Sequence, residues 1–173
     1  TGDTIPVQTL INTLGTPIDL IYTVTPDING CVGPSESFTI TVEPAPFIDM
    51  QPQPEDICLN GTPNDLSVSY QGTGTPSYQW YVNTVDDNTS GTAIVGANGP
   101  TYTPPTDSVG TLYYYVVITF TTGDCNEIIS DTAEITVEDI AQIDTEPIPT
   151  QSICVGGTSE ELTVNLIGGA GTV

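Results

Sequence analysis

Apolar and polar positions alternate with a period of two along much of the chain. Leu66, Val68 and Tyr70 alternate with Ser67 and Ser69, the mark of a strand with one buried face. Tyr78, Trp80 and Val82 alternate with Gln79 and Tyr81, and Ala133, Ile135 and Val137 alternate with Thr132, Glu134 and Thr136. Residues 112–120, LYYYVVITF, are apolar on both faces, which suits a central strand covered from two sides. Turn-forming runs separate these stretches: NGTPND, GTGTP, DDNTSG, GANGP and TPPTDSVG. No stretch carries a helical period. The pattern predicts an all-β, immunoglobulin-like β-sandwich. It places strand B near 65–71, C near 77–83, F near 112–120 and G near 131–138. Trp80 falls where such sandwiches bury a tryptophan on strand C, and is read as a core residue.

The pattern also repeats. Residues 57–72, ICLNGTPNDLSVSYQG, and 153–168, ICVGGTSEELTVNLIG, agree at seven of 16 positions. Residues 35–43, SESFTITVE, and 130–138, SDTAEITVE, agree at five of nine. Cys31 and Cys125 lie 94 residues apart. Three matches at nearly one spacing, in one order, predict tandem immunoglobulin-like β-sandwich repeats of about 95 residues. Residues 1–43 read as the C-terminal part of a divergent repeat, 44–139 as a complete repeat and 140–173 as the N-terminal part of the next. The chain is thus expected to be a window on a longer array. Residues 1–30 match poorly.

The first strand of a repeat carries prolines, QPQPED in one copy and EPIPTQ in the next. Proline has no N–H to give to a ladder, so this strand is expected at a sheet edge, where it also blunts edge-to-edge aggregation. Few residues separate Val137 from Ile143. Short, proline-flanked links favour a stiff rod over a flexible string.

Composition then removes whole classes of function. The 173 residues include no Lys, Arg or His against 22 Asp and Glu, a formal charge of −22. Phosphate backbones and anionic lipid find no cation here. Bases or nucleophiles built on His or Lys, arginine clamps and lysine isopeptide crosslinks are all excluded. No run approaches the roughly 20 apolar residues of a membrane-spanning helix. No enzyme activity, no nucleic-acid partner and no direct membrane insertion are therefore expected. The acids are diluted: only 13% of residues are charged and 37% are hydrophobic. That balance supports a folded β-rich domain and not a solvated tail.

Each repeat has one cysteine before strand B (Cys58, Cys154) and one between F and G (Cys31, Cys125). Without His and without C-x-x-C spacing, zinc is a poor fit. Structural disulfides in an oxidising compartment are the expectation. Their pairing stays open between two arrangements. In one, Cys58 bridges Cys125 within the repeat. In the other, each pre-B cysteine bridges the F–G cysteine of the following repeat. The second arises because the A–B and F–G turns lie at opposite ends of such a sandwich.

Acidic runs at Asp86–Asp87–Asn88, Asp124–Asn126–Glu127 and Asp27–Asn29 lack the spacing of a calcium loop. They are read as solvated loops with at most weak Ca2+ affinity, and no cofactor is expected. Glu43 and Glu138 recur at strand ends and are read as solvated. Asn60-Gly61-Thr62 and Asn88-Thr89-Ser90 are formal N-glycosylation triplets.

The order ICLNGTP, LSVSYQGTGTPSYQWYVN, YTPPTDSVGTLYYYVV, GDC and SDTAEITVE resembles the tandem Ig-like/PKD-like repeats of giant cell-surface adhesins of Bacteroidota, of the SprB gliding-motility type. The resemblance covers the middle and last repeats, and the F–G part of the first. It implies type IX secretion, display outside the outer membrane and an extracellular filament for surface adhesion and gliding. It also implies O-glycosylation at D-[S/T]-apolar triplets, which makes Thr4, Ser108 and Thr132 candidates. It brings no catalytic residue onto this chain. The expected partners are neighbouring repeats of the same chain, with an external surface or polysaccharide contacted through other regions. Two rival readings are a polysaccharide-binding repeat, gripping through aromatics such as Tyr81 or Tyr102, and an accessory module of a secreted hydrolase.

Overall fold

A computed structural model describes residues 4–121 and 127–169. The described residues form sixteen strands and no helix. In the leading segment β1 (Ile18–Val24) pairs antiparallel with β4 (Glu36–Val42), and β2 (Asp27–Ile28) and β3 (Cys31–Val32) close a tight hairpin between them. Asn29 and Gly30 fill that two-residue turn with φ of 52° and 84°, the left-handed conformation such hairpins require.

The middle segment holds ten strands: β5 (Phe47–Met50), β6 (Glu55–Cys58), β7 (Leu66–Ser67), β8 (Ser69–Gln71), β9 (Pro76–Asn83), β10 (Thr92–Ala93), β11 (Thr101–Tyr102), β12 (Gly110–Phe120), β13 (Ile128–Ile129) and β14 (Ala133–Glu138). One sheet runs β10-β9-β12-β14-β6, with β6 parallel to β14 and the other pairs antiparallel. Facing it, β5 pairs with β8 and β7 with β11. Val68 N–H bonds to Pro100 O at 3.1 Å and bridges β7 into β8. The result is an all-β sandwich. Strand B is β7–β8, C is β9, F is β12 and G is β14, with β12 central as its two apolar faces require.

The alternating residues meet between the sheets. Leu66, Val68, Trp80, Tyr114, Val116, Ile118, Ala133 and Ile135 form the core. Trp80 is 0% exposed, and its indole N–H donates to Gly99 O at 2.9 Å, so its polar atom costs nothing in desolvation. The outer face of β12 is covered too. Tyr115 stacks on Tyr81 at 5.1 Å, and its hydroxyl accepts from Gly91 N–H at 3.0 Å, which ties the 84–91 loop over the sheet.

Two strands depart from the expected pattern. The prolines of QPQPED lie in no strand; they make the crossover in which the chain leaves one sheet at β5 and joins the other at β6. Both strands are sheet edges among the described residues. Strand G is interrupted. Val117 pairs with Ile129, whereas Tyr114 pairs with Ala133, so three residues face two, which is a bulge. Ser130 fills it: its hydroxyl accepts from Val116 N–H at 3.0 Å and donates to Asp131 O at 2.8 Å.

The trailing segment adds β15 (Gln142–Thr145) and β16 (Asn165–Ile167), paired antiparallel. Their register reproduces that of β5 and β8. Phe47↔Gln71 and Ile48↔Tyr70 correspond to Gln142↔Ile167 and Ile143↔Leu166, and both pairs are irregular at the next position. The Cys58–Gly61 turn, closed by Gly61 N–H to Cys58 O at 2.8 Å, corresponds to Cys154–Gly157, closed at 2.9 Å. Asn64 N–H donates to the Glu55 side chain at 2.9 Å, and Glu160 N–H donates to the Gln151 side chain at 2.9 Å. The leading segment corresponds likewise. Ile18↔Val42, Leu20↔Ile40 and Tyr22↔Phe38 match Gly110↔Val137, Leu112↔Ile135 and Tyr114↔Ala133. The offset is 92 residues in one strand and 95 in the other, so an ungapped comparison loses the first strand.

Candidate functional site

The places with the most to say about function are the two ends of the middle sandwich, where the chain passes from one segment to the next. Three residues, 139–141, separate β14 from β15, and four, 43–46, separate β4 from β5. The turn after strand B seats on each link. Gly72 has a φ of 147°, and a Cβ there would stand 2.7 Å from Pro46 Cβ. Gly168 has a φ of 70°, a Cβ there would stand 2.5 Å from Ile140 O, and Gly169 N–H donates to Asp139 O at 2.6 Å. Backbone approaches this close leave room only for glycine, so each link is held by the segment that follows it.

At the first joint an open cleft of about 480 Å3 lies between Asn12, Leu14 and Pro17 on one side and Phe47, Gln71 and Thr73 on the other. Its amides are already engaged. Asn12 Nδ2 donates to Thr16 O and Val42 O, both at 2.8 Å, and Gln71 Nε2 donates to Asp49 at 2.9 Å. The cleft therefore presents few unpaired donors to a ligand. Glu43, expected to be solvated, is half-buried beside this joint, and its Oε2 is shut from water with no hydrogen-bond partner among the described residues.

Cys31, Cys58 and Cys154 are exposed, and none is in a disulfide among the described residues; Cys125 lies outside them. Cys58 stands beside Glu138, where β14 runs out. Cys31 sits at the far tip of its hairpin, beyond Val24 and Glu36, while Val42 closes the other end of the pair. From Ile18 to Ile28 the chain spans about 30 Å at ~3.3 Å per residue. Cys31 thus lies at the end of its strand pair away from Val42, whereas Cys58 lies at the β14 end that corresponds to Val42 and Glu43.

The loop acids are mostly engaged with their own neighbours. The Asp87 carboxylate accepts from Ser90 Oγ, from Thr89 Oγ1 at 2.7 Å and from Thr89 N–H at 3.1 Å; the Ser90 and Thr89 hydroxyls hold it below the usual carboxylate range. Asp49 is lowered in the same way by Gln71 and Ser69. Asp27 accepts from Gly30 N–H at 2.8 Å. Asp124 and Asn126 fall outside the described residues, and Glu127 is exposed. Glu55, Asp56, Asp86 and Glu134 border an open trough with Tyr113 and Thr132. There the Glu134 carboxylate beside the Tyr113 hydroxyl pushes the tyrosine's pKa up. Among the described residues no group of three or more Cys, Asp or Glu side chains is placed to hold a metal ion.

The candidate modification sites separate. Thr4 and Ser108 are exposed. Thr132 is half-buried in the bulge, and its hydroxyl is taken by Asp86. Asn60 is exposed in its turn at φ 59°, whereas Asn88 Nδ2 donates to Ser130 O at 2.9 Å. Of the aromatics considered as a ligand platform, Tyr102 is half-buried, with its ring 6.0 Å from Trp80 and 5.7 Å from Tyr114; it belongs to the core. Tyr81 is half-buried in its stack on Tyr115.

The parallel β6–β14 pair was not legible beforehand. Only Ile57 on β6 is buried, and one apolar residue makes no alternation. Among the described residues no helix is long and apolar enough to cross a membrane.

No curated protein matches the chain. A family described as a domain of unknown function (DUF8696) matches residues 51–139, a span that takes in β6 to β14 and more than half of the chain. The chain therefore belongs to the DUF8696 family.

Proposed function

We propose that the chain is a structural stalk segment of a large secreted cell-surface protein, made of sandwiches of about 95 residues set end to end, and that it has no enzymatic role. The observation that carries this reading is the recurrence of local geometry at one spacing. The β5–β8 register, the Cys58–Gly61 turn, the Glu55–Asn64 clasp and the glycine on the link all reappear 95 or 96 residues later. Links of three or four residues, each held by the next sandwich, favour a stiff rod. A charge of −22 with no basic side chain keeps neighbouring rods apart and soluble. The resemblance to giant adhesin repeats points to adhesion and gliding at an outer surface. The polysaccharide-binding alternative loses support because Tyr102 is a core residue and Tyr81 is stacked. The positions of Cys31 and Cys58, at non-corresponding ends of their segments, support bridges between successive repeats over bridges within one.

Electron microscopy of the natural protein tests this reading. β12 spans eleven residues, about 36 Å at ~3.3 Å per residue, so a thin rod with an axial repeat near that length is expected. A compact particle, or selective binding of the 173-residue chain on a glycan array, would overturn it.

A further inference from the structure

We propose that the parallel β6–β14 pair is the mechanical clamp of the sandwich, the element that sets the tension at which it opens. The inference rests on the stalk reading and adds to it where the load is borne. The chain comes into the sandwich through Pro46 and β5 and leaves it at Glu138. β6 lies directly beside β14, parallel to it, with Glu55, Asp56, Ile57 and Cys58 opposite Ile135, Thr136, Val137 and Glu138. Tension on the two ends draws β6 back toward the incoming side and β14 out toward the other. The pull runs along both strands, whereas the ladder bonds run across them. Those bonds are therefore loaded together in shear and cannot open one at a time.

The surroundings of the pair strengthen it. Leu59 N–H extends the ladder by donating to Glu138 O at 2.7 Å, at the point where the load leaves the sandwich. Ile57 and Val137, opposite one another, are both buried. The Glu55 carboxylate holds Asn64 through two bonds of 2.9 Å, so the start of β6 is tied to the loop behind it. By contrast, β5 is held to β8 by a short, irregular pair. It gives way first and leaves the clamp to carry the load. The Gln151–Glu160 clasp and the Cys154–Gly157 turn reproduce the same surroundings in the trailing segment.

The test is single-molecule pulling of the 173-residue chain, held by its two ends, with thermal melting of the same variants. Leu59→Pro removes the N–H that bonds to Glu138 O, and Ile57→Ala thins the packing under the clamp. Both are expected to lower the opening force of the middle sandwich. Ile48→Ala, on β5, is expected to lower the melting temperature and leave the opening force unchanged. The proposal is overturned if Ile48→Ala weakens the force as much as Ile57→Ala at equal thermal loss. It is equally overturned if neither clamp variant changes the force. Either result would leave the stalk reading standing, because that reading is decided by the shape of the natural protein.

Discussion

Trp80→Ala is expected to unfold the middle sandwich at ordinary temperature. Trp80 is the largest fully buried side chain, at 0% exposure, and it faces Tyr102 and packs with the core residues of both sheets. Truncating a buried aromatic to alanine costs about 3–5 kcal/mol. The lost indole also leaves the half-buried Gly99 O without its partner at 2.9 Å, which adds to that cost. Small domains hold only about 5–15 kcal/mol in total. Since the chain has one tryptophan, urea unfolding of the variant is followed by circular dichroism, and its midpoint should fall close to zero denaturant. A midpoint near that of the parent would mean that the sandwich does not depend on this core.

The second large effect is alkaline unfolding. Burial, with smaller contributions from Tyr102 and Asp107, pushes Tyr114 up to about 12 from an ordinary 10.0. The folded state thus keeps a proton that the unfolded chain releases. The stabilisation is complete below pH 10 and is lost as the pH rises from about 10 through about 12. A shift of that size corresponds to roughly 2–3 kcal/mol. Burial raises Tyr102 and Tyr78 in the same direction. With no lysine or arginine in the chain, no basic side chain loses charge in the same range. Tyrosinate absorbance and circular dichroism should therefore change together in one cooperative step above pH 10, and Tyr114→Phe should move that step to higher pH. Gradual, uncoupled tyrosine ionisation would contradict the account.

How much of this was readable beforehand follows from physical causes. Strands B, C and G alternate because a sheet with one buried face must, and F is apolar on both faces because it is covered from two sides, so Leu66, Tyr78, Tyr114 and Ala133 marked their elements plainly. Trp80 was legible as core for the same reason. The first strand was harder, because Pro52 and Pro54 split it between two sheets and left β6 with one buried apolar residue. The bulge in strand G turns on Ser130, a fully buried hydroxyl that looks like any surface serine until its partners are seen. Tyr102 looked like an exposed aromatic because β11 is only two residues long, too short to show a phase. The leading segment concealed its strand behind a three-residue difference in spacing. Cysteine pairing depends on which ends of a sandwich meet, and alternation carries no trace of that.

The central claim is that a sandwich of about 95 residues recurs end to end to carry tension. Pulling the natural protein by its two ends under reducing conditions tests it most directly. The account predicts a train of evenly spaced force peaks, each releasing about 300 Å of chain at ~3.3–3.6 Å per residue once the folded length is subtracted. A single unfolding event, or peaks of irregular spacing, would contradict it.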